Sequence, residues 1–306
     1  MRYHSACFQF QKPLVPLSAF ALVIFAGLIH ASWNIAAKKA NGDARFAFFT
    51  AIFLALIWAP VGTWAAWGVV NLWGVREWSF ILATAVLHLL YFIVLLRGYK
   101  KADLTVVYPI ARGSGPLLSA LSAIFLFQEK ISLLGLAGIF AVVGGVFFIA
   151  GGPKLLQQNH DRSARTRLRK GMAYGLLTGF FIASYTLLDG YAVKILLFSP
   201  ILIDYFGNLL RIPLLLPVVL RDRRTTRAQW RVQWKYALLV GAISPVSYVM
   251  VLYALQMAPL SHVAPAREVS MLFAALIGGH LLGESDRMPR IAGAMLIALG
   301  VIALGL

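Results

Sequence analysis

A helix that crosses a hydrocarbon core roughly 30 Å thick needs about 20 apolar residues, and this chain of 306 residues offers ten such segments in two sets of five. The first set lies at 17–37, 46–68, 78–96, 104–127 and 132–151, and the second at 171–191, 199–220, 236–255, 262–282 and 289–306. The last is the shortest. The two sets also match residue by residue. Gly27-Leu28-Ile29-His30-Ala31-Ser32-Trp33 corresponds to Gly179-Phe180-Phe181-Ile182-Ala183-Ser184-Tyr185, and Ala102 to Pro109 corresponds to Ala258 to Pro265. Glu129 then aligns with Glu284, Gly138 with Gly293, and Gly145-Val146 with Gly300-Val301. Anchors repeated in one order signal an internal duplication. Five is odd, so a second copy enters the bilayer upside down. The expected fold is an all-α membrane protein of ten transmembrane helices in two inverted five-helix repeats, 17–151 and 171–306, joined by a basic linker loop at 152–170.

Composition excludes the soluble alternatives. Hydrophobic residues make up 60% and charged residues 13% of the chain, and the mean hydropathy is +0.79, far too apolar for a soluble globule. No period-two alternation supports a barrel. A formal charge of +17 invites a nucleic-acid reading, but the distribution of the charge argues against one. Twenty of the 28 lysines and arginines lie in odd-numbered connections, with clusters at Arg162 to Lys170 and Arg221 to Lys235. Only Arg2, Lys12, Arg76, Lys130 and Lys194 lie on the other side. This is topology information, and the positive-inside rule places the odd connections in the cytoplasm and both termini outside. Cys7 is the single cysteine, so no internal disulfide forms. Arg2 and Lys12 before an apolar run imitate a signal peptide; nine further spans favour an uncleaved first helix.

Polar groups inside spans are costly unless they face a partner or a cavity, which makes them site candidates. In the fourth span Arg112 follows Pro109, and in the ninth Arg267 and Glu268 follow Pro265. The prolines remove backbone donors and are expected to kink both helices. Arg112 and Glu268 occupy equivalent positions in the two copies, so a central ion pair is expected, as a structural lock, as a gate to an anionic or zwitterionic ligand, or as a pair that exchanges a proton through Glu268. Gly27, His30 and Asn34 share one face of the first span beside Trp33, whose counterpart is Tyr185. His30 would serve proton coupling or bond a neighbouring helix. His88 and Tyr91 share a face of the third span, and Tyr248 is the counterpart of Tyr91. Asp204, Asn208 and Arg211 line one face of the seventh span, as a neutralised pair or a cavity wall. Asp189, Lys194 and His280 read as interfacial. Gly171, Gly175, Gly179 and Ala183 recur every four residues and lay a packing groove along the sixth span.

The small-residue first helix with its aromatic, the mid-span Pro109 and Pro265, the closing Glu129 and Glu284, and the Gly-rich span after each resemble the EamA-type repeat of the drug/metabolite transporter superfamily. The resemblance covers nearly the whole chain. It implies two inverted repeats around a central cavity, and alternating-access transport of a small metabolite. It also implies cytoplasmic termini, opposite to the charge count. The expected function is secondary transport of an amino acid-like or other small organic or anionic solute, with export as the expected direction and a proton as the candidate coupling ion. The chain is expected to be a monomer or homodimer in a bacterial inner membrane, without cofactor, metal or nucleic acid. The alternatives are a polytopic membrane enzyme and a scaffold. Against an enzyme, the chain has no His-Glu-x-x-His and no catalytic aspartate pair or Ser and His set of known membrane spacing; a missing phosphate-cradling Gly-rich loop argues against ATP-driven pumping.

Overall fold

The computed structural model describes residues 15–102, 104–149, 162–274 and 287–306, and among them it is helical throughout, with no strand. The helices are α1 (Leu17–Ala40), α2 (Ala44–Ile57), α3 (Ala59–Ala66), α4 (Val75–Lys101), α5 (Leu104–Leu126) and α6 (Leu133–Ile149). The second set comprises α7 (Arg162–Lys194), α8 (Pro200–Arg221), α9 (Arg223–Met257), α10 (Leu260–Ala266) and α11 (Arg287–Gly305). Five of these, α1, α4, α7, α8 and α9, are long and apolar enough to cross a membrane, and the bent pair α2 and α3 makes a sixth if taken as one span. α6 and Ile291–Gly305 of α11 are apolar but shorter. In α5, Arg112, two prolines and several Gly and Ser residues dilute an otherwise apolar helix.

Several elements depart from the expected spans for local reasons. The second span breaks at Trp58, where α2 and α3 meet at 63°. Pro60 stands in the first turn of α3, where its missing N–H is tolerated but a continuous helix is not. The Trp58 indole donates to Ala242 O at 3.1 Å, fixing the break against α9. α7 begins at Arg162, so residues 162–170 of the expected linker form its first turns. α9 starts at Arg223, well before the expected residue 236, and is capped by Asp222, which accepts from Thr225 N at 3.0 Å. Its basic first turns continue past any bilayer-length segment, since 35 residues span about 50 Å at 1.5 Å each. α10 ends at Ala266, Arg267 and Glu268 form a turn, and helix resumes at 269–274. The expected kink at Pro265 is thus a full break, bridged by short-range bonds such as Met271 N to Glu268 O at 2.8 Å. α5, by contrast, runs through Pro109 and Pro116 without interruption.

Glycines set the closest helix contacts. α6 and α11 cross where a Cβ on Gly145 would lie 2.5 Å from the Gly293 carbonyl oxygen, and one on Gly138 would lie 2.8 Å from that of Gly300. Because 145 meets 293 while 138 meets 300, the two helices run antiparallel. The contact is also reciprocal in the repeat alignment, in which Gly138 is the counterpart of Gly293 and Gly145 that of Gly300. A second reciprocal contact joins Gly179 to Ser114 and its counterpart Gly27 to Ser270. The groove expected on α7 holds α5: Gly171 faces Val106, Gly175 faces Ile110, and Gly179 faces Ser114 and Gly115. Large apolar side chains such as Phe25, Leu56, Phe125, Phe140, Phe180 and Leu299 remain exposed on the outside. An apolar exterior around a polar interior is the pattern that a lipid environment selects.

Candidate functional site

Just past the end of α10, the turn formed by Arg267 and Glu268 presents the Glu268 carboxylate to α5. The Arg112 guanidinium meets Glu268 Oε2 at 2.8 Å and donates to Ser270 Oγ at 3.2 Å. Glu268 is 1% exposed, yet among the described residues Oε1 has no hydrogen-bond partner and the Oε2 contact lacks hydrogen-bond alignment. Arg112 Nε is likewise buried without a partner among the described residues. The pair expected from the repeat positions therefore forms, but with unused donor and acceptor capacity on both sides. Arg267 precedes the carboxylate on the same turn and is partly exposed; it makes no ion pair with a described residue. One pair and a second arginine leave positive charge in excess at this point.

Aromatic rings flank these charges. The His88 imidazole from α4 stacks on Tyr185 of α7 at 3.9 Å and 21°, and meets Tyr248 of α9 edge-on at 5.6 Å. Tyr91 approaches Tyr185 at 5.8 Å. Tyr185 lies within electrostatic range of both Arg112 and Arg267. From α1, His30 meets Trp33 edge-on at 4.6 Å and lies within the fields of Arg112 and Arg267. The Trp33 indole donates to Ser247 Oγ at 3.2 Å. Helices α1, α4, α5, α7, α9 and the α10 break thus bring Arg112, Arg267, Glu268, His30, Trp33, His88, Tyr91, Tyr185 and Tyr248 into one interior cluster. Asn34 shares the α1 face and is partly exposed, with no side-chain hydrogen bond to a described residue.

Two acidic side chains have partners that the sequence did not indicate. Asp204 does not form an ion pair with Arg211; its carboxylate accepts from Asn208 Nδ2 at 3.1 Å, and that amide also reaches Asp204 O at 2.7 Å. One helical turn lets Asn208 satisfy the carboxylate locally, while Arg211 stays in its field. Asp189 is enclosed within the protein: it is 1% exposed and accepts a hydrogen bond from the Tyr248 hydroxyl. α7 continues to Lys194, which places Asp189 more than a turn inside the helix. The spacing of Tyr185 and Asp189, four residues apart on one helical face, was the available signal.

At one end of the bundle a second carboxylate ties the copies together. Glu129, just beyond α5, accepts from the backbone N–H groups of Leu260 and Ser261 at 2.8 Å each, and pairs with Lys194 at 3.3 Å. Burial pushes the Glu129 carboxyl up, but the two N–H donors, the Ser261 hydroxyl and Lys194 outweigh it and hold it below the ordinary carboxylate range. The Glu of the first repeat's motif is thus the N-terminal cap of α10 in the second. Its counterpart Glu284, the Asp103 of the fourth-span motif and His280 lie outside the described residues.

No group of three or more metal-ligating side chains occurs among the described residues. The model of the EamA-like transporter family matches residues 17–151 and again 169–306. A solved structure described only as a crystal structure of a protein superposes with a TM-score of 0.72 at 14% identity, covering 94% of this chain and 98% of that one. At that identity the likeness concerns the fold alone. A family match across both copies, together with the apolar helices, makes this chain a multi-pass membrane transporter of the drug/metabolite transporter superfamily, and it belongs to the EamA-like transporter family.

Proposed function

We propose that the chain is a secondary transporter that moves a small anionic or zwitterionic metabolite, amino acid-like in size, by alternating access around the Arg112 and Glu268 pair. The observation that carries this reading is the pair itself. It joins equivalent positions of the two copies at a helix break, beside an arginine without a described counter-ion. A solute carboxylate or similar anion would take the open donors of Arg112 and Arg267. A solute ammonium would take the unused oxygen of Glu268. His88, Tyr91, Tyr185, Tyr248, Trp33 and His30 would form the walls. The antiparallel crossing of α6 and α11 and the reciprocal contacts support two inverted repeats, with the broken segments α2–α3 and α10 onward completing ten spans. Binding at such an interface lets the two halves rock about a fixed site. Export is the proposed direction.

A thermal-shift screen of the purified chain against small carboxylates, phosphates and amino acids tests the site. A ligand present at 100 times its Kd stabilises the folded state by about 2.7 kcal/mol. Hits are expected to raise the Tm of the wild type and not that of Arg112→Ala. A hit that stabilises both proteins equally binds elsewhere, and a complete absence of hits removes support for the site.

A further inference from the structure

We propose that Asp189 is a proton-binding site, loaded from the interior through His88 and Thr84. Asp189 is 1% exposed and forms no ion pair with a described residue; the Tyr248 hydroxyl donates to it, and the Thr84 hydroxyl lies beside it. A buried carboxylate served by neutral donors is suited to hold and release a proton, whereas one locked to an arginine is not. The charged and titratable groups around it come from every neighbouring helix. α4 contributes His88, which meets Tyr248, α8 contributes Asp204 and Arg211, α9 contributes Tyr248, and the α10 break contributes Arg267. Arg211 and Arg267 reach Asp189 only through their fields, and Asp204 adds a second carboxylate to the same neighbourhood.

The route follows from the bonds. His88 Nδ1 lies 2.9 Å from the Thr84 carbonyl and 3.2 Å from the Thr84 hydroxyl. A carbonyl only accepts, so Nδ1 carries the hydrogen and Nε2 is the open atom. A proton taken up at Nε2 releases the Nδ1 proton to Thr84 Oγ1, and the Thr84 hydroxyl proton passes to Asp189. The carboxylate becomes a carboxylic acid, the hydroxyl is restored, and the imidazole is left neutral with its proton on Nε2. Release reverses these steps. His88 is partly exposed while Asp189 is sealed, which gives the route one open end.

The role in coupling rests on the transporter reading; the proton site itself does not. Infrared difference spectroscopy on the full chain in lipid, stepped between about pH 4 and pH 9, reads the carboxylic acid carbonyl band directly. A titrating band is expected in the wild type, in Asp204→Asn and in Glu268→Gln, and is expected to vanish in Asp189→Asn. A band that persists in Asp189→Asn, or the absence of any titrating band in the wild type, overturns the proposal. If Asp189→Asn does not fold, Asp189→Glu keeps a carboxyl and Tyr248→Phe removes its donor; each is expected to shift the band frequency, and an unchanged frequency in both overturns the assignment. Should the band behave as expected while no solute crosses the membrane, the transporter reading fails and the proton site stands.

Discussion

The crossing of α6 and α11 offers a substitution whose control lies next to it in the sequence. A Cβ at residue 145 would sit 2.5 Å from Gly293 O, 2.7 Å from Ile297 Cγ1 and 2.9 Å from Ile297 N, two of them backbone atoms. Ordinary contact lies near 3.5 Å, so Gly145→Ala requires the helices to separate by about 1 Å. Overpacking of this kind costs about 1–3 kcal/mol. The neighbouring Gly144 has nothing within 4 Å of its Cβ position, so Gly144→Ala is expected to be neutral or to gain up to about 1 kcal/mol from helix propensity. Because the Gly293 Cβ position meets Gly145 O at 2.6 Å, Gly293→Ala should cost about as much as Gly145→Ala. The double variant should cost less than the sum, since one separation relieves both clashes. Reversible unfolding in mixed lipid and detergent micelles measures all four. Gly145→Ala as stable as Gly144→Ala, or a fully additive double variant, would refute close backbone packing of α6 against α11.

Removing Arg112 leaves Glu268 buried and unpaired, a change worth about 3–5 kcal/mol. Arg112→Ala should therefore be less stable than Arg112→Met/Glu268→Gln; a double variant as unstable as the single one would show that the two groups are not coupled. On α7, Gly179→Leu places a side chain where even a Cβ would collide with Ser114 Oγ and lie 2.9 Å from Gly115 N, and its Tm should fall below that of wild type; full stability would remove the groove. Glu129 contributes through its charged form. Its carboxyl is depressed, so the stabilisation is complete above the unfolded pKa of about 4.3 and is lost as pH falls through the lower folded value. Glu129→Gln should cost about 2 kcal/mol at neutral pH, and the gap from wild type should close in acid; a gap independent of pH would contradict the capping role.

The parts of this fold that were legible in the sequence depend on repetition. Gly138, Gly145, Gly293 and Gly300 stand out because both copies keep them, and the helices they join do meet. Arg112 and Glu268 were found the same way, since a twofold relation brings equivalent positions together near its axis. What repetition does not mark was read less well. Trp58-Ala59-Pro60 is as apolar as its surroundings, so hydropathy runs through a break that Pro60 makes in the backbone. The burial of Asp189 was not legible, because apolar length ends the span at residue 191, whereas the helix continues to Lys194. Asp204 paired locally with Asn208, because one helical turn satisfies a carboxylate more cheaply than a distant guanidinium. The bond from Glu129 to the start of α10 joins residues 131 positions apart, and no periodicity encodes it.

Flux measured in proteoliposomes bears most directly on the proposed transport. A radiolabelled panel of small carboxylates, phosphates and amino acids would be followed with and without a proton gradient, using wild type, Arg112→Ala and Glu268→Gln. At least one anionic or zwitterionic solute is expected to move in the wild type and in neither variant, with all three proteins folded and inserted to the same extent. Movement of no solute under either condition, or undiminished flux in both variants, would contradict transport centred on the Arg112 and Glu268 pair.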